Sequence, residues 1–280
     1  MEPPFGPILL EIGPISIYWY GFLIAMGILL GARVATFLAE QSGNDPEIIW
    51  DMLIVVVLLA LVGARAYHVF STPQSGLLGW DYYRQNPLQV FAIWNGGLGI
   101  YGAIVGGALG VAIFSHFRKL NVLQWLDFIA PGMALGQSIG RWGNYMNREL
   151  YGPPTTLPWG LHIPPAYRIA PYNNLNAYPE SALFHPTFLY ESLATLALSI
   201  VLIWIATRVW RGLRHGDLLL LYLMGYAVIR FGVEFLRPDA WMLGALAAAQ
   251  VFAIVLFALA GGLIILRRVL KPTAAQDQTE

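Results

Sequence analysis

The sequence predicts an all-α integral membrane protein with about seven transmembrane helices, and three observations carry that prediction. Hydrophobic residues make up 57% of the 280-residue chain and charged residues only 11%, against roughly 25% charged in an average soluble domain. The apolar residues fall in blocks of about 20, the length that crosses a bilayer as a helix. The blocks are continuous rather than alternating, and a segment in lipid satisfies its backbone only as a helix or within a closed barrel. Helices are therefore expected.

Taken in order, the N-terminal Met1 to Pro14 carries acids and prolines but no basic region, so it reads as a short arm leading into the first span and not as a signal peptide. Seven apolar stretches follow, near Ile15–Leu38, Ile48–Phe70, Gly96–Phe117, Val122–Ile139, Thr187–Thr207, Asp217–Phe235 and Trp241–Leu266. Arg118 and Lys119 follow the third span, Arg208, Arg211 and Arg214 the fifth, and Arg267, Arg268 and Lys271 the seventh. With an odd number of spans these clusters share one side, expected to be cytoplasmic by the positive-inside bias, with the N-terminus outside and the C-terminus inside. Residues 148–186, between spans four and five, hold eight of the 18 prolines together with Trp159, Tyr167 and Tyr172. Such a stretch cannot be one helix, yet it is too aromatic for a disordered linker. It is expected to be a small ordered extracytoplasmic cap. Residues 1–270 then form one polytopic domain and 271–280 a polar cytoplasmic tail. No internal repeat is evident, and the glycines of span three (Gly99, Gly102, Gly106, Gly107, Gly110) are spaced for close helix packing.

Residue types exclude several chemistries. There is no cysteine, so disulfides, enzyme thiolates and cysteine metal sites are out. The two lysines, Lys119 and Lys271, both lie in polar flanks. No metal, organic cofactor or nucleic acid is implied.

Charge inside a span is costly and faces a partner or a cavity. Arg65, Arg141, Arg230, Glu191 and Glu234 all fall in or beside spans, each toward the end predicted to be outside. In span six, Tyr222, Tyr226, Arg230 and Glu234 are spaced by four, with Arg237 three further on, so they share one helix face. That face reads either as an ion-pair ladder that fixes packing or as an anion site, since a guanidinium fork suits phosphate and a neighbouring carboxylate can hold it. The run Gly140-Arg141-Trp142-Gly143-Asn144-Tyr145-Met146-Asn147-Arg148-Glu149-Leu150-Tyr151-Gly152 is more polar than a helix end requires. Its glycines permit close backbone approach, and Asn144 and Asn147 offer donors and acceptors for hydroxyls. Gly136-Gln137-Ser138-Ile139-Gly140 matches the pattern of a nucleophile elbow, but that motif needs a strand–turn–helix setting, and Ser138 is not expected to be catalytic. His185, just before Pro186 at the start of span five, is either a surface base or a structural cap. Tyr20, in Tyr18-Trp19-Tyr20-Gly21, either belongs to an interfacial belt or points inward.

Gly140–Gly152 resembles the signature of the prolipoprotein diacylglyceryl transferases. The resemblance extends over nearly the whole chain through Trp19-Tyr20-Gly21, Gly63-Ala64-Arg65, Trp94-Asn95-Gly96-Gly97, His185-Pro186 with Tyr190-Glu191, and Arg230-Phe231 through Glu234, Phe235 and Arg237. It implies an enzyme of the bacterial cytoplasmic (inner) membrane that moves the diacylglyceryl group of phosphatidylglycerol onto the lipobox cysteine of a prolipoprotein signal peptide. A thioether forms and glycerol phosphate leaves. The thiol belongs to the substrate, which suits a chain without cysteine. The resemblance further implies that Arg141 and Arg230 neutralise charge on the leaving phosphate, that Glu149 and Glu234 orient the arginines, and that Asn144 and Asn147 hold the head group. Gly152, Tyr20, Arg237 and His185 join them as substrate-binding residues. Some family members carry a histidine, proposed as the base, where this chain has Tyr101, and a tyrosine is a poor resting base at neutral pH. Tyr101 is therefore expected to act as a hydrogen-bond relay, or else another group such as the substrate phosphate accepts the proton. The alternative class is a transporter or channel for an anionic solute, with Arg65, Arg141, Arg230 and Arg237 along a polar path. The almost wholly apolar inner halves of spans three, five and seven favour the lipid site.

Overall fold

The computed structural model describes residues 1–13, 15–71, 79–209 and 212–270. The expected polar tail 271–280, with Lys271, and Arg211 lie outside the described residues. The chain is mostly helical and separates into two compact units, Met1–Leu38 with Asp127–Glu280 and Ala39–Leu126. Among the described residues, five helices are long and apolar enough to cross a membrane: α1 (Trp19–Gln41), α2 (Glu47–Phe70), α4 (Ile100–Phe117), α6 (Thr187–Arg208) and α8 (Ala248–Leu270). Helices α5 (Val122–Met146) and α7 (Asp217–Glu234) have comparable length but are more polar, and α3 (Trp80–Gln85) is a short connector.

Two boundaries differ from expectation. The first apolar block begins as a β-hairpin, β1 (Ile8–Ile12) against β2 (Ile15–Tyr18), and the last begins with a second hairpin, β6 (Met242–Leu243) against β7 (Leu246–Ala247). In each, a glycine at positive φ (Gly13, 60°; Gly244, 67°) makes a turn that an apolar count does not register. Helix α5 also runs on to Met146, so most of the polar run from Gly140 is helical, not a loop.

In the unit Ala39–Leu126, α2 and α4 pack backbone to backbone. A Cβ at Gly102 would stand 2.0 Å from the Gly63 carbonyl oxygen, and one at Gly106 2.1 Å from that of Leu59. This is the small-residue packing read from span three. Arg65, although buried, is a structural clamp. It donates to the carbonyls of Val90 (2.7 Å), Gly96 (2.8 Å), Gly97 (3.0 Å) and Gln89, and stacks on Tyr83. The co-occurrence of Gly63-Ala64-Arg65 and Gly96-Gly97 is thereby explained.

In the other unit, α1 meets α5 at Gly27–Gly136 and Gly31–Gly132. Ser192 Oγ donates to the Ser138 carbonyl (2.9 Å) and Ser199 Oγ to that of Pro131 (2.8 Å), tying α6 to α5. At the start of α7 the buried Asp127 accepts from the backbone N–H groups of Gly216 (2.5 Å) and Leu219 (2.9 Å). It caps a helix other than its own, and the N-terminal dipole favours a carboxylate there.

Residues 147–186 fold around three short strands, with β5 (Leu183–Phe184) between β3 (Pro154–Thr155) and β4 (Leu161–His162). Tyr151, Leu161, Ile163, Tyr172, Phe184 and Phe188 form its core. Arg168 is buried at its centre and donates to the carbonyls of Ile163 (2.8 Å), Tyr178 (3.0 Å), Pro179 (3.1 Å) and Glu180 (2.7 Å). Burial pushes the Tyr151 and Tyr172 hydroxyls above their ordinary range, so both stay neutral and Tyr151 accepts the Ile169 N–H at 2.6 Å.

Candidate active site

Three helices bring charge to one cleft. Its lining includes Arg141 of α5, Glu191 of α6, Arg230 of α7 and Arg237 just beyond it. Leu150, Phe188 and Val233 supply apolar walls. The cavity holds about 10 Å³, room for roughly one water molecule.

Each arginine has its own carboxylate. Arg141 Nη2 lies 2.6 Å from Glu191 Oε1, Arg230 Nη2 2.6 Å from Glu234 Oε2, and Arg237 Nη2 2.9 Å from Asp239 Oδ2. The three pairs sum to zero formal charge. Glu191 and Glu234 are both buried, and the contacting oxygen of each approaches its arginine without an aligned hydrogen bond. Removing one partner of such a pair leaves a bare buried charge, at a cost of roughly 3–5 kcal/mol. The expected Arg–Glu–Arg ladder on α7 is therefore shorter than the spacing implied. Arg230 and Glu234 pair as read, whereas Arg237 turns to Asp239. Burial pushes the Asp239 carboxyl up, but hydrogen bonding and charge from Arg237 win and hold it below its ordinary range.

The polar run on α5 has an internal order. Arg141 Nη1 donates to Asn144 Oδ1 (3.3 Å), Asn144 Nδ2 to Glu149 Oε1 (2.8 Å), and Asn147 Nδ2 to the same oxygen (3.2 Å). The two amides thus grip Glu149 instead of standing open, and Glu149 reaches Arg141 only through Asn144. The carboxylate against Arg141 is that of Glu191. Glu191 stands out in the sequence as a charge within an apolar span, but no site role was read for it there. Asp239 was missed as well, its signal being proximity to Arg237 across Pro238.

Other expected residues are placed as follows. A Cβ on Gly152 would stand 2.9 Å from His185 Cβ and 3.0 Å from the Leu236 carbonyl oxygen, so this glycine lets the chain pass between β5 and the end of α7. Gly152 N–H donates to the His185 carbonyl (2.8 Å), and His185 Nδ1 lies 3.2 Å from the Tyr190 hydroxyl. The Trp159 indole N–H donates to that same hydroxyl at 3.2 Å. These contacts are of the structural kind among the two readings of His185. Tyr20 packs over Gly143, whose added Cβ would meet the ring at 2.6 Å, and its hydroxyl feels the charges of Glu149 and Arg141. Tyr101 belongs to the unit Ala39–Leu126, where it is exposed and its ring rests on Tyr67 at 5.6 Å. Ser138 lies buried within α5, its hydroxyl 3.1 Å from that of Ser192. It has neither the sharp turn nor the base that a nucleophilic serine requires.

The family described as prolipoprotein diacylglyceryl transferase matches residues 7–266. A relative from Synechococcus elongatus is 43% identical, covering 90% of this chain and 84% of its own length. One from Chloroflexus aggregans is 39% identical, covering 95% and 91%, and one from Thermosynechococcus vestitus is 42% identical, covering 89% and 88%. All three are named phosphatidylglycerol–prolipoprotein diacylglyceryl transferase.

Proposed function

The chain belongs to the prolipoprotein diacylglyceryl transferase family, and we propose that the cleft of Arg141, Arg230 and Arg237 is where it carries out the transfer. It is a multi-pass membrane transferase that moves a diacylglyceryl group from phosphatidylglycerol to a prolipoprotein, in the maturation of lipoproteins. The transporter or channel reading gives way to this one.

On our reading the acceptor is the thiol of the lipobox cysteine. Its sulfur attacks the glyceryl carbon that bears the phosphate ester. A C–S bond forms, the C–O bond breaks, and the electron pair leaves with glycerol phosphate, which also takes up the thiol proton. Arg141 and Arg230 neutralise the charge that builds on the departing oxygen, an effect worth most where water is scarce. Glu191 and Glu234 hold the two forks in position, and the Asn144–Asn147–Glu149 set steadies Arg141 from the other edge. The single observation that supports this reading best is the convergence of three guanidinium groups from α5 and the end of α7 on one buried cleft.

We also read α5 and α7 as spans, giving seven in all. Their length is sufficient, and Arg141 and Arg230 turn to the cleft, where polar groups inside a membrane belong. Arg118, Lys119, Arg208, Arg214, Arg267 and Arg268 then face the cytoplasm. The folded segment 148–186 covers the outer end, and the membrane is the bacterial cytoplasmic one. The test is to incubate the purified protein with phosphatidylglycerol vesicles and a lipobox peptide. Thioether-linked peptide and glycerol phosphate are expected in equal amounts; absence of both with a folded protein would refute the assignment.

A further inference from the structure

The arginines account for a phosphate and leave the rest of the head group unread. Glu191 is the one carboxylate in the lining of the cleft among the described residues. It is 4% exposed, and its Oε1 has a charge partner but no aligned hydrogen bond. An ionised carboxylate offers about four acceptor positions and no donor, so this wall of the cleft demands donors. Within the lining Arg141 meets one of these positions, its Nη2 2.6 Å from Oε1, and the neighbouring hydroxyl and amides are committed elsewhere. Thr187, the only hydroxyl of the lining, donates to the Leu150 carbonyl. Asn144 and Asn147 direct their amides to Glu149. A phosphate oxygen is repelled from Glu191, whereas a hydroxyl on the same head group is drawn to it.

We propose that Glu191 is the specificity-determining residue for the lipid head group, accepting a hydrogen bond from a glycerol hydroxyl while Arg141 and Arg230 hold the phosphate. The inference rests on the reading of this cleft as the phosphatidylglycerol site and adds which part of the lipid each wall recognises. The donor set is a polyol phosphate, with cations for the anion and a buried acceptor for the alcohol. A lipid with the same charge and carbon count but no hydroxyl leaves the carboxylate bare in the cleft. A lost hydrogen bond to a charged group corresponds to about a 10- to 100-fold loss in kcat/KM.

The full-length protein in vesicles is given a lipobox peptide and either phosphatidylglycerol or phosphatidylpropanol, which matches it in charge and carbon count but has no head-group hydroxyl. Transfer from phosphatidylglycerol is expected to be about 10- to 100-fold more efficient. Glu191→Gln is expected to bring the two lipids to within about threefold of one another, mainly by losing efficiency with phosphatidylglycerol. A residue that merely props Arg141 would slow both lipids equally and leave their ratio at the wild-type value, which would overturn the proposal. If the Gln variant does not fold, Glu191→Asp, which shortens the reach to the hydroxyl, is expected to lower the ratio, and an unchanged ratio overturns the proposal. Equal use of both lipids by the wild type also overturns it, while transfer from phosphatidylglycerol itself continues. Absence of any transfer from phosphatidylglycerol would instead refute the reading of the site beneath it.

Discussion

Arg141 is held on two edges, by Glu191 from α6 and by Asn144 one turn along its own helix. Its fork is therefore oriented before a phosphate arrives, and preorganised charge is what stabilises a developing anion. Lysine at this position keeps the charge but loses the fork, so Arg141→Lys is expected to lower kcat about 10- to 100-fold with little change in fold, measured by transfer rate beside thermal unfolding. Ser138→Ala is expected to retain most activity, because the hydroxyl only helps join α5 to α6; loss of activity in a stable variant would revive a covalent mechanism. The Arg237–Asp239 pair gives a pH expectation of definite sign. A carboxyl held below its ordinary range keeps its pairing down to and below about pH 4 and loses it only as pH falls through the depressed value. Any decline in transfer between pH 7 and 5 should then persist unchanged in Asp239→Asn. At this scale the sequence disclosed candidate residues more readily than whom they touch. Arg230 and Glu234 were legible because i,i+4 spacing dictates contact. Arg141 and Glu191 were not, because their pairing depends on two helices 50 residues apart.

Helix α5 carries both structural and chemical duties along one length. Its early turns give Asp127 to the start of α7, its middle gives Ser138 and Pro131 to α6, and its last turns bear Arg141 and Asn144. Apolar counting ended this helix early because arginine and asparagine depress hydropathy, although neither stops a helix whose polar face has partners. The hairpins before α1 and α8 escaped for the opposite reason, since isoleucine and leucine suit strand and span alike. The folded segment 147–186 hangs on Arg168, whose buried guanidinium satisfies four backbone carbonyls. Arg168→Met leaves those groups unpaired and is expected to destabilise the segment by roughly 3 kcal/mol or more. Limited proteolysis should report that as faster cleavage between residues 155 and 182. Gly152→Ala brings a methyl group within about 3 Å of His185 and Leu236. It is expected to cost about 1–3 kcal/mol in unfolding, with a loss of transfer that follows the loss of packing.

For the whole molecule, the apolar composition, the absence of cysteine and the presence of charge within apolar stretches were all legible without coordinates. They are compatible with the reaction that the family resemblance implied, in which the membrane supplies one substrate and a prolipoprotein the other. On our proposal the chain itself must bring an array of cations that stays folded in lipid, and each arginine of the cleft has a carboxylate beside it. The three ion pairs leave the resting cleft neutral, and on our proposal a lipid phosphate enters by sharing the arginines with carboxylates already in place. The most direct measurement is thioether formation on a lipobox peptide in phosphatidylglycerol vesicles by the wild type, Arg141→Ala and Arg230→Ala, each verified as folded. The account predicts product from the wild type and a loss of about 1,000-fold or more in each variant. Either variant retaining transfer within tenfold of the wild type would contradict it.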